Sequence, residues 1–105
     1  MCPTSESAMP KAYWIAHISV NDLDAYEPYR DLVRDIIAQY NGKFIVRGGA
    51  QTVVEGEIRP RSIIIEFPTL QAATECYNSK AYQEAKALRT AASSGDICII
   101  EGWDA

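Results

Sequence analysis

Aromatic and β-branched residues alternate from Lys11 to Val20, which predicts a strand. Asp22 then offers a helix cap, and apolar positions at Tyr26, Tyr29, Leu32, Val33, Ile36, Ile37 and Tyr40 recur at the three-and-four spacing of one helical face. Pro28 lies near the start of that helix and is expected to set off a first turn, while Asn41-Gly42 closes it in a left-handed conformation. Lys43 to Arg47 predicts a second strand, Gly48-Gly49 a bulge, and Thr52 to Glu55 a resumption of the extended pattern. After a turn at Gly56, Ser62 to Phe67 predicts a third strand. Pro68-Thr69 caps a helix carrying Leu70, Ala73, Cys76 and Tyr77, and Ser79 recaps a further piece with Tyr82, Ala85 and Leu88 on one side. Ser93-Ser94-Gly95 stops it, and Asp96 to Gly102 is the last strand.

The order β-α-β-β-α-β predicts an α+β, ferredoxin-like domain with a four-stranded antiparallel or mixed sheet. Right-handed crossovers place both helices on one side of it. Yet neither sheet face is polar. The first strand presents Ala12, Trp14, Ala16, Ile18 and Val20 on one face and Tyr13, Ile15, His17 and Ser19 on the other. The third gives Ile63, Ile65 and Phe67 against Ser62, Ile64 and Glu66; the last gives Ile97 and Ile99 against Cys98 and Ile100. Two helices cover one such face, so the second implies association, most simply a homodimer in which two sheets meet.

Composition narrows the classes. With 105 residues the chain is expected to be one domain over 10–105 behind a disordered polar leader over 1–9. The formal charge of −4 and the scattered basic residues argue against nucleic acid and anionic membranes as partners. No apolar run reaches bilayer-spanning length. Cys2, Cys76 and Cys98 lack metal or CxxC spacing, and His17 is the one histidine, so neither a metal nor another cofactor is expected. Unpaired thiols and no signal core point to the cytoplasm.

The run Lys11-Ala12-Tyr13-Trp14-Ile15-Ala16, with Asp22, Tyr26, Gly42-Lys43-Phe44, Arg47-Gly48-Gly49, Glu55-Gly56, Arg59-Pro60-Arg61, Glu66-Phe67-Pro68, Tyr77-Asn78-Ser79, Tyr82 and Leu88-Arg89, resembles domain-of-unknown-function family 1330. The resemblance covers nearly everything from Met9 to Gly102 and implies a dimeric α+β barrel, two ferredoxin-like protomers packed sheet to sheet. It implies little about activity. Related barrel families include cofactor-independent monooxygenases, lactone isomerases, dye-decolourising peroxidases and small stress-response proteins, and a shared fold does not carry a shared reaction.

The candidate chemistry lies in polar groups on half-buried strands. A hairpin centred near Gly56-Glu57 places Arg47 opposite Glu66, with the Gly48-Gly49 bulge able to shift that register. One reading makes His17, Arg47 and Glu66 a cluster between sheet and helices: Arg47 holds an anionic or carbonyl group, and His17 acts as acid or base oriented by Glu66. The other makes Arg47–Glu66 an ion pair that pins register and His17 a hydrogen-bonded interface residue. Tyr13, Tyr26 and Tyr82 are the candidate ligand-binding tyrosines; most tyrosines of the chain fit inner helix faces as core. Arg89, one step off the Leu88 stripe, is expected to cap or pair at the surface. Gly48-Gly49 opens no helix and is not a dinucleotide loop. The chain is thus expected to be a homodimer that binds a small organic molecule between sheet and helices, either as a cofactor-independent enzyme or as a non-catalytic structural or ligand-sensing module.

Overall fold

A computed structural model of the protein describes residues 10–103; the expected leader lies outside the described residues. Four strands, β1 (Ala12–Val20), β2 (Lys43–Arg47), β3 (Arg61–Phe67) and β4 (Ser93–Glu101), form one sheet in the order β2-β3-β1-β4. Every pairing is antiparallel. Three helices, α1 (Leu23–Gln39), α2 (Leu70–Asn78) and α3 (Lys80–Ala92), supply the crossovers. This is the expected ferredoxin-like order.

The helix ends follow their local chemistry. Asp22 accepts a hydrogen bond from the Ala25 amide at 3.2 Å and starts α1. Thr69 and Ser79 do the same for the Ala72 and Tyr82 amides, which is why α2 and α3 are two helices rather than one. At the end of α1 the Asn41 amide donates to the Ala38 carbonyl and the Gly42 amide to the Ile37 carbonyl, a Schellman closure. Asn41, not Gly42, takes the left-handed conformation (φ 63°). Gly42 is needed for space: a Cβ there would stand 2.7 Å from Ile37 Cγ2 and from the Phe67 ring. Pro28, exposed in the second turn, does not split α1.

The core lies between the helices and one face of β1. Ala12, Trp14, Ala16 and Ile18 are buried there, while Tyr13, Ile15, His17 and Ser19 are only half-buried on the other face. The strand with the bulkiest aromatic on its apolar side therefore points that side at the helices. Trp14 is the hub. Its indole N–H donates to the Ala73 carbonyl at 3.0 Å, and its ring meets Phe67, Tyr77 and Tyr82 at centroid distances of 5.2, 5.7 and 4.9 Å.

The strands correct four expectations. Thr52 to Glu55 is not a strand; residues 48–60 form an irregular arm, because β2 is already the sheet edge and no strand lies beyond it to pair with. The irregularity in β2 falls between Phe44 and Val46, not at Gly48-Gly49. Consequently Arg47 is opposite Ile63, and Lys43 is opposite Glu66. A long arm imposes no turn geometry, so the register follows side-chain burial rather than a hairpin centre. β4 also begins earlier than expected, at Ser93 directly after α3.

Candidate functional site

The expected trio does not converge. Arg47 points to the helix side, where its Nη2 donates to the Arg30 carbonyl on α1 at 3.2 Å and its guanidinium lies 4.2 Å from the Phe44 ring centre. His17 and Glu66 belong to the opposite, open face, as does Tyr13. Glu66 is held by Lys11 and Lys43 at 3.4 and 3.6 Å. Neither an Arg47–Glu66 ion pair nor a His17–Glu66 contact forms. The acid–base cluster is therefore not assembled within the protomer.

Two concave regions among the described residues hold His17 and Arg47 separately instead. On the open face, His17 Nδ1 lies 2.9 Å from Ser62 Oγ, and Ser62 donates to Gln51 Oε1. Because the hydroxyl hydrogen is used on Gln51, His17 is the donor to Ser62 through Nδ1. Gln51 in turn donates to the Arg59 carbonyl at 3.0 Å, and Arg59 reaches Asp96 Oδ2 and Ser19 Oγ, both at 3.1 Å. The arm 48–60 is thus tied across the sheet, over an open depression of about 450 Å³ lined by His17, Glu57, Ile58, Arg59 and Asp96.

The second site is a cavity between the sheet and the helices. Its walls are apolar: Trp14, Ala16, Ile18, Ile63, Ile65 and Ile97 from the sheet, Val33 from α1 and Phe44 from β2. Tyr26 and Tyr29 contribute from α1. The concavity measures about 460 Å³ including its mouth, while the centre of a water molecule can range over about 30 Å³ of it. Of the expected residues, Arg47 and Tyr26 line it, and Tyr82 stands behind Tyr29 with the two phenol oxygens 3.0 Å apart. Burial first, and then the neighbouring phenol, raise Tyr29 far above the ordinary tyrosine range. Burial raises Tyr82 too. Both phenols are neutral hydrogen-bonding groups at physiological pH.

Arg30, Arg61 and Arg89 complete the lining and were not read from the sequence. Arg89 corrects the expectation of a surface residue: it is 8% exposed, whereas Leu88 is 38% exposed. The signal was present, since Tyr82, Ala85, Arg89 and Ala92 follow helical spacing and form the buried face of α3. Burial works to lower the Arg89 pKa, but the Tyr82 and Tyr29 phenols outweigh it and hold the guanidinium charged. Arg47 is pulled below its ordinary value by burial and then by repulsion from Arg30, Arg61 and Arg34. Among the described residues, no group of three or more His, Cys, Asp or Glu side chains could hold a metal ion, and no helix is long and apolar enough to cross a membrane.

Comparison with known proteins agrees with this architecture. A protein of unknown function from Rhodopseudomonas palustris, RPA0582, is similar in structure with a TM-score of 0.76 at 17% identity, over 99% of this chain and 97% of that one. SnoaB, a cofactor-independent oxygenase from Streptomyces nogalater, is similar with a TM-score of 0.61 at 10% identity, over 91% and 96%. A conserved protein from Methanosarcina mazei Go1 has a TM-score of 0.55 at 15% identity, over 92% and 97%. At such identities the likeness establishes the fold alone. No curated protein matches the chain in sequence. The family model that does match spans residues 11–103, from the first residue before β1 to just past β4, and the chain belongs to that family, Domain of unknown function (DUF1330).

Proposed function

We propose that the protein is a homodimer that binds one compact organic molecule per protomer in the cavity between its sheet and helices. The observation that carries this reading is the cavity itself. It is walled by apolar and aromatic side chains at the centre of the fold, yet Arg89, nine-tenths buried in its wall, has an Nε without a hydrogen-bond partner among the described residues. An interior built only for packing leaves neither space nor a buried unpaired donor. Such a combination is what small-molecule sites share.

Dimerisation is supported by the open face. Val46, Ile64, Ile15 and Cys98 stand in register across all four strands, so an apolar row crosses the sheet with no helix over it. The arm 48–60 adds exposed Val53, Val54 and Ile58. Unpaired thiols at Cys76 and Cys98 support a reducing, cytoplasmic setting.

The fold shared with SnoaB makes cofactor-independent oxygenation the first chemistry to assay. Phenols available to the cavity are those of Tyr26 and Tyr29, the latter bonded to Tyr82, whereas His17 lies on the other face.

The test is native mass spectrometry and thermal shift against a panel of small acids, alcohols and carbonyl compounds. Saturable binding of one molecule per protomer is expected, lost when Ala16→Leu narrows the cavity. A panel with no saturable ligand, or one whose binding Ala16→Leu leaves intact, overturns the assignment.

A further inference from the structure

Four of the chain's six arginines, Arg30, Arg47, Arg61 and Arg89, line one cavity, and none of its lining residues is acidic. This happens in a protein with fourteen acidic residues and a net charge of −4. The guanidinium groups come from α1, β2, β3 and α3, so the fold rather than a local charge run gathers them.

Their hydrogen bonding is incomplete in a patterned way. Arg30, Arg61 and Arg89 each leave the Nε–H without a partner among the described residues. Arg30 spends Nη1 on Glu27 at 3.2 Å, at the surface and away from the lining. Aromatic faces hold the planes in place: Arg61 lies 5.9 Å from the Tyr26 ring centre and Arg89 5.9 Å from that of Tyr29. Gly48, at φ +73°, leaves the space that the Arg61 guanidinium occupies, and a side chain there would collide with it. The Nε and one Nη of a guanidinium form the edge that receives both oxygens of a carboxylate. Clustered like charges with a single counter-charge among the described residues, Glu27 on Arg30, repel, and desolvation at an apolar cavity sharpens the repulsion.

We propose that the molecule held in this cavity is an organic carboxylate, its head on the arginine edges of Arg61, Arg89 and Arg30 and its compact apolar body against Trp14, Ile63 and Ile65. This rests on the small-molecule reading of the same cavity and adds the ligand's chemical class. The free space as it stands is small, so the body is a single ring or a short chain. Phosphate monoesters share the negative charge, but a bulky tetrahedral head leaves less room for the body in a cavity of this size.

Benzoate and hexanoate, benzamide and hexanol as their neutral counterparts, and inorganic phosphate are the probes, titrated into the full chain by calorimetry and followed by the arginine Nε–H resonances in NMR. Each carboxylate is expected to bind at least tenfold more tightly than its neutral counterpart and to move the Nε–H signals. Arg61→Gln, at a half-exposed position, is expected to erase that preference, lowering carboxylate binding at least tenfold more than binding of the neutral compound. Arg61→Lys is expected to restore it only in part. Equal binding of acids and neutral compounds overturns the carboxylate assignment and leaves the small-molecule cavity standing. Phosphate competing as well as benzoate overturns it in favour of a bare anion site. Saturable binding by none of the probes, with the Nε–H signals unmoved, overturns the carboxylate assignment, while a saturable ligand in the wider panel would still uphold the cavity.

Discussion

The two faces of this sheet are drawn from similar residue types and end in different physical states. On the helix side Trp14, Ile18, Ile65 and Phe67 are almost fully removed from water and interlock with Tyr26, Tyr82 and Cys76. On the other side Ile15 and Ile64 are half-buried, Ile100 is exposed, and a polar chain from His17 through Ser62 and Gln51 to Arg59 crosses one end. Hydrophobicity along a strand thus says that a face will be covered, not by what. The helix side also contains the anomaly: four cations around one apolar cavity, Arg89 buried and the other three half-buried, where burial is costly unless the charges meet a partner. The open side has its charges conventionally matched, Glu66 with Lys11 and Lys43, Arg59 with Asp96.

Neighbours in one strand give the sharpest contrast. Trp14→Ala is expected to lower the unfolding free energy by about 3–5 kcal/mol in urea titrations, since it empties the aromatic hub and removes the indole hydrogen bond to the Ala73 carbonyl. Ile15→Ala, measured at dilutions where protomers are separate, is expected to cost about 1 kcal/mol or less. Equal losses would break the distinction between the faces. Placing a charge on the open face tests its covering: Ile15→Lys is expected to weaken self-association at least tenfold in sedimentation, about 1.4 kcal/mol or more, with far-ultraviolet circular dichroism unchanged. A wild-type protein that sediments as a monomer at micromolar concentration removes the second covering altogether.

Alkaline pH probes the helix side. Burial pushes the Cys76 thiol from 9.0 up to about 12. The folded chain therefore holds this proton more tightly than the unfolded one. The resulting stabilisation is complete below about pH 9 and drains away as the pH rises towards 12, at no more than about 1.4 kcal/mol per pH unit for one thiol. Tyr29 and Tyr82, both raised by burial, act in the same direction above the ordinary tyrosine range. Denaturant midpoints are expected to fall over this window, and Cys76→Ala to flatten the onset. A fall unaffected by that substitution would place the titrating groups elsewhere. A similarly small effect belongs to the polar chain of the open face. Ser62→Ala is expected to cost about 0.5–1.5 kcal/mol, the net worth of an accessible hydrogen bond, and to release the arm at Gln51, seen as faster amide exchange over residues 48–60.

Much of this was legible because local chemistry is local. Asp22, Thr69 and Ser79 cap the helices they were expected to cap, and the alternation of β1 separates the same residues that the structure separates. The register of β2 was not legible, since the 48–60 arm breaks the link between turn and pairing that a short hairpin provides. The site was legible only in pieces. Arg47 and Tyr26 do line the cavity. His17, Tyr13 and Glu66, conspicuous in sequence as polar groups on apolar strands, belong to the other face, while the apolar Leu88 masks Arg89, which stands one step further along α3 on its buried side.

What the sequence alone determined is a domain with two apolar sheet faces, its element order and its helix boundaries, because periodicity and capping depend on residues a few positions apart. Which face meets the helices is decided by packing: only the side bearing Trp14 and Phe67 fills the volume between sheet and helices. The gathering of Arg30, Arg47, Arg61 and Arg89 is likewise tertiary. Residues up to 59 positions apart in the chain become neighbours only when four elements close on one cavity, and no spacing along the sequence encodes that meeting.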